Sequence, residues 1–148
     1  MKSLPYESAT SGDKALIEVQ SLLSRFGCST FGTMTDAERG VTIVQFRWKE
    51  RPVSLEASWK GYAAAWLKAH PYTYRMRCQR SEHEANALKQ AKISVCSILR
   101  DWLKGQITAV ECGLMSFEGV FMPHMLLPDG RRLLDYVQSE ILSLPAST

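Results

Sequence analysis

Residues 57–81 hold Lys60, Lys68, Arg75, Arg77 and Arg80 with no acidic side chain among them, and Trp59, Tyr62, Trp66, Tyr72 and Tyr74 are interleaved. Basic groups neutralise phosphates and aromatic faces stack on bases, so the mixture suits single-stranded nucleic acid or a nucleotide. In Tyr72-Thr73-Tyr74-Arg75-Met76-Arg77, extended geometry puts both tyrosines with Met76 on one face and the two arginines on the other. Lys68, Tyr72, Tyr74, Arg75, Arg77 and Arg80 are therefore the candidate nucleic-acid or nucleotide-binding residues, and Arg47 and Lys49 are expected to extend the patch. The competing reading makes the aromatics core and the basic groups its solvated rim.

Catalytic chemistry has weaker support. The chain has no G-x-S-x-G elbow, no H-E-x-x-H and no Gly-rich phosphate loop. His70, His83 and His124 lack a metal-ligating partner at i+3 or i+4. Glu82-His83-Glu84 resembles an acid–base cluster, but helix capping and the helix dipole account for the two glutamates first. Asp36, Glu56 and Lys60 lie on or beside expected strands, as a metal-dependent nuclease requires, yet a strand separates Glu56 from Lys60 too far for one compact site. Cys28, Cys78, Cys96 and Cys112 form no C-x-x-C pair and are expected as free thiols in a reduced, intracellular protein. No cofactor, metal or catalytic residue is assigned, and a non-enzymatic role is the leading expectation.

The elements that must position these groups follow from periodicity. Residues 1–12 are small and polar, and are expected to form a flexible leader with a helix cap at Ser11 or Asp13. Leu16, Val19, Leu22, Leu23 and Phe26 recur at helical spacing, and Gly27 suits the position past the helix end. Residues 28–34, 41–48 and 53–57 read as strands, and in the second Val44, Phe46 and Trp48 share a face opposite Gln45 and Arg47. A short helix over 59–69 stops before Pro71. Ser81-Glu82-His83-Glu84 predicts a capping box opening a long helix with the stripe Leu88, Ala91, Val95, Leu99 and Trp102, ending at Gly105. A short helix capped by Ser116, a Pro128-Asp129-Gly130 turn and a helix over 132–142 follow.

The order predicts an α+β fold: an N-terminal helix, a three-stranded antiparallel meander, then several helices packed on one sheet face. Residues 13–143 form its single domain and 144–148 a frayed C-terminus. With 148 residues, 45% of them hydrophobic and 22% charged, the chain suits one soluble globular domain rather than a two-domain cofactor enzyme, a disordered tail or a membrane span. Its formal net charge of +3 is too mild to name a polyanionic partner by itself. Residues 1–7 carry one positive charge but no following apolar run, so no secretory signal is expected.

Ala109-Val110-Glu111-Cys112-Gly113-Leu114-Met115-Ser116-Phe117-Glu118-Gly119-Val120-Phe121, then His124-Met125 and Leu127-Pro128-Asp129-Gly130-Arg131, resembles a family of small proteins encoded by tailed phages and prophages. The helix through Leu99 and Leu103, and the first helix with Phe26-Gly27 and Phe31-Gly32, are also similar, so the resemblance covers about two thirds of the chain. It implies action in the cytoplasm of an infected or lysogenic bacterium, and it carries no catalytic residue or ligand. The basic, aromatic segment departs from the family's pattern. The leading expectation is an accessory protein that binds single-stranded or replication-associated nucleic acid. The alternatives are an anti-defence protein that binds a host immune protein or sequesters a nucleotide signal, a self-associating assembly factor, and a metal-dependent nuclease.

Overall fold

The computed structural model describes residues 3–142. It has the expected α+β order: α1 (Gly12–Phe26), β1 (Thr30–Asp36), β2 (Val41–Trp48), β3 (Arg51–Ser58), α2 (Trp59–Ala69), α3 (Arg80–Glu111), α4 (Phe117–Phe121) and α5 (Leu133–Tyr136). A 3-10 turn over Met122–His124 follows α4, and α5 widens into a π-turn over Val137–Ile141. The strands form one antiparallel sheet in the order β1-β2-β3. The segment 125–132 borders β3 through a bridge from Met125 to Val53 and closes on itself through a bridge between Leu126 and Arg132.

Local chemistry sets several ends. The Ser11 hydroxyl accepts a hydrogen bond from the Lys14 amide and caps α1, and Gly27 closes that helix at φ 97°. Ser116 caps α4 by accepting from the Gly119 amide at 2.9 Å. Between β2 and β3 the register pairs Trp48 with Arg51, leaving a two-residue turn in which Lys49 and Glu50 both take positive φ. That handedness matches the twist of the strands it joins.

Val44 and Phe46 of β2 meet Leu55 and Val53 of β3, and this face is covered by α1 and α3. Phe26, Trp48 and Phe117 stack at the end of α1, with ring centroids 5.0 Å and 4.5 Å apart. Phe121 is fully buried and meets Phe46 and Trp102 edge-on. Burying a side chain of this kind stabilises the fold by about 1.5–3 kcal/mol.

Two expectations about α3 are corrected. The helix opens at Arg80 with Gln79 as N-cap and no side-chain cap, so Ser81 and Glu84 form no capping box. Nor does Gly105 end it: α3 continues to Glu111, and the left-handed residue past its end is Gly113, at φ 72°. The reason is burial on both sides of the glycine. Leu99, Leu103 and Ile107 lie one above the next on the core face, which outweighs a propensity cost of about 1 kcal/mol for one exposed glycine. The expected stripe holds at Ala91, Val95, Leu99 and Trp102 and departs at its first member, since Leu88 is exposed while Ala87 is fully buried.

The segment expected as a leader is tied to two helices. The Tyr6 hydroxyl donates to Asp101, Ser94 donates to the Tyr6 carbonyl, Gln90 to that of Ala9, and the Tyr62 hydroxyl to that of Pro5. The C-terminal residues 144–148 lie outside the described residues.

Candidate nucleic-acid interface

The candidate residues gather where α2 hands over to α3. Lys68 is exposed in the last turn of α2, Arg75 and Arg77 are exposed in the connection, and Arg80 is the first residue of α3. This segment is not extended as the sequence reading expected. The Met76 amide donates to the Thr73 carbonyl at 3.1 Å, and the Tyr72 hydroxyl donates to the Cys78 carbonyl at 3.0 Å. These bonds coil residues 72–78 into a closed loop, so the expected alternation of tyrosines and arginines on two faces is lost. A side-chain bond across six residues leaves no periodic trace in a sequence.

The loop is anchored by aromatic packing that sequence reasoning missed. His83 is 5% exposed, and its Nε2 lies 2.6 Å from the carbonyl oxygen of His70, the C-cap of α2. The Trp66 ring meets His70 at 4.6 Å and His83 at 5.1 Å, while Tyr72 meets His83 at 5.7 Å. His70 in turn pairs with Glu7. The acid–base reading of Glu82-His83-Glu84 thus gives way to a structural one, with His83 the buried hinge-pin of the α2–α3 corner. The available signal was two histidines flanking a proline-bearing break.

The aromatics of the segment divide accordingly. Trp59 is buried and donates its indole N–H to the Thr42 hydroxyl at 2.8 Å, Tyr62 serves the N-terminal segment, and Trp66 and Tyr72 hold the corner. Tyr74 alone among these five stands clear, at 84% exposure, with the Arg75 guanidinium 5.9 Å from its ring centre. Arg80 lies 5.1 Å from the ring centre of Tyr72. Most of the segment's aromatics are therefore packing elements with its cations as a solvated rim, as the competing reading expects, and Tyr74 departs from that reading by facing solvent.

Charge pairing separates the arginines of this segment from most others of the chain, while Arg25 and the lysines are unpaired like them among the described residues. Arg39, Arg47, Arg51, Arg100, Arg131 and Arg132 each form ion pairs. Among the described residues Lys68, Arg75, Arg77 and Arg80 form none. Unneutralised guanidinium groups close together on an exposed loop project positive potential into solvent. Arg47 and Lys49 do not extend this patch. Arg47 near the end of β2 and Lys49 in the β2–β3 turn lie beside the Trp48–Phe117 stack, near the far end of α3, and a 32-residue helix spans about 48 Å.

The nuclease candidates are likewise redistributed. Arg39 pairs with both Asp36 and Glu56, and its amide donates to the Asp36 carboxylate at 3.1 Å. Lys60 lies on α2, exposed and apart from both acids. Among the described residues no three His, Cys, Asp or Glu side chains are grouped to hold a metal ion. Among them, too, no helix is long and apolar enough to cross a membrane.

Clefts lie along the outer sheet face beside Gly32 and Leu126, in the α1–α3 groove at Arg25 and Lys104, and at the start of α1, away from residues 71–80. No protein-family model, curated protein or solved structure matches the chain.

Proposed function

We propose that this is a non-enzymatic accessory protein of a tailed phage or prophage that binds nucleic acid, single-stranded or replication-associated, in the bacterial cytoplasm. The observation that carries the binding role is the set of unpaired, exposed cations Lys68, Arg75, Arg77 and Arg80 around the exposed ring of Tyr74. Guanidinium groups take phosphate oxygens and a free tyrosine face takes a base, so one loop offers both contacts that an unpaired strand presents. None of the four clefts at the sheet face, the α1–α3 groove and the start of α1 is lined by residues 71–80, and a small ligand needs concave walls to bury it, which favours a polymer over a sequestered nucleotide. The phage context rests on the resemblance of residues 109–131. Titrating labelled single-stranded and duplex oligonucleotides at two salt concentrations tests the reading. Binding should weaken steeply with salt and favour the single strand. Absent or salt-insensitive binding overturns it.

A further inference from the structure

We infer that β1 is the pairing edge of a symmetric dimer, in which two copies join antiparallel through Thr30–Asp36 about Thr33 and merge their sheets into one. Among the described residues β1 pairs with β2 alone, and no other strand or backbone hydrogen bond reaches its outer edge. An edge strand left open to solvent is normally protected by lysine, proline or a bulge. This one has none of these over its 7 residues, its single charge is the terminal Asp36, and it exposes Phe31 and Met34 at 37% and 54%.

The sequence of β1 is complementary to itself in one register. A two-fold axis perpendicular to the sheet sets residues of like facing opposite each other, so the pairing centres on a residue, and Thr33 uses the whole strand. Gly32 then faces the partner's Met34. A Cβ at Gly32 would meet nothing within 4 Å, so that space is open to the incoming side chain. The same notch leads into the apolar cleft of about 390 Å³ lined by Gly32, Ile43, Pro52 and Leu126. Thr30, which pairs with Arg47 across the β1–β2 ladder, faces the partner's Asp36. Carboxylate and guanidinium thus share the outer face two strands apart, within reach of an arginine side chain. Phe31 faces the smaller Thr35, and no like charges are opposed.

Sedimentation of the full chain over a concentration series should give twice the 16.7 kDa monomer mass. With Cys78 and Cys112 replaced by serine, Thr33→Cys should cross-link under mild oxidation, because opposed antiparallel residues lie about 4.5–5.5 Å apart at Cα. Thr30→Cys should not, its two copies being about 20 Å apart. Met34→Lys should raise the dissociation constant about tenfold or more while circular dichroism stays native. A monomer at every concentration overturns the inference, as does a dimer in which Thr33→Cys stays uncross-linked or Met34→Lys changes nothing.

Discussion

The Nε2 of His83 stands 2.6 Å from the carbonyl oxygen of His70, so one buried ring joins the first turn of α3 to the end of α2. The bond ties the uncapped start of α3 to α2, so tertiary packing holds in place a helix end that no side chain caps. It also fixes the two ends of the loop that carries Tyr74, Arg75 and Arg77.

Replacing His83 with alanine removes that bond and opens a void between Trp66 and Tyr72. Loss of about 2–4 kcal/mol of stability is expected, read from the urea midpoint. Native-state trypsin cleavage after Arg75 and Arg77 should accelerate as well. An unchanged midpoint would show that the corner is held by other contacts.

Arg75 and Arg77 make no ion pair among the described residues, and both are exposed. Changing both to alanine should shift stability by no more than about half a kcal/mol. The slope of log affinity against log salt should become shallower by about two for oligonucleotide binding. Tyr74→Ala should weaken single-strand binding by about 1–3 kcal/mol and leave that slope unchanged, because a stacking contact releases no counterions.

His124 packs edge-on against Trp102, and its Nδ1 is buried without a hydrogen-bond partner. Burial, and secondarily the charge of Arg132, lower its pKa from the ordinary 6.5. The unfolded chain therefore takes up the proton first. This contribution to stability is complete above pH 6.5 and is lost as the pH falls from there through the folded value. His124→Phe should flatten that limb of the melting-temperature profile and raise stability by about 1 kcal/mol by removing an unsatisfied polar atom. A profile that keeps its slope in the variant would assign the limb to another group.

Burial pushes the Cys28 thiol up to about 11 and also raises that of Cys96, while Cys112 is exposed at the end of α3. An aromatic disulfide reagent at neutral pH should modify Cys112 first, with Cys28 and Cys96 reacting only on unfolding. Cys112→Ser should remove the fast phase without shifting the melting temperature appreciably. Fast modification of Cys28 would contradict its packing.

What the sequence by itself determined is the part governed by short-range periodicity and local caps. Val44, Phe46 and Trp48 announced β2 and its inward face, Ser11, Gly27 and Ser116 marked real helix boundaries, and the run from residue 30 to 58 fixed a meander because each hairpin is only a few residues long. The basic composition of residues 57–81 was equally legible. Tertiary structure decided how those residues are used. Gly105 passes through a helix because Leu103 and Ile107 are buried on either side of it, and Arg39 draws in Asp36 and Glu56 from different strands. Four of the five aromatics in the basic segment are committed to packing or hydrogen bonds by Thr42, Pro5, His70 and His83, which leaves Tyr74 free. Propensity acts over a few residues of one chain segment, whereas burial and hydrogen-bond satisfaction depend on partners distant in sequence, and where the two conflict burial contributes the larger free energy.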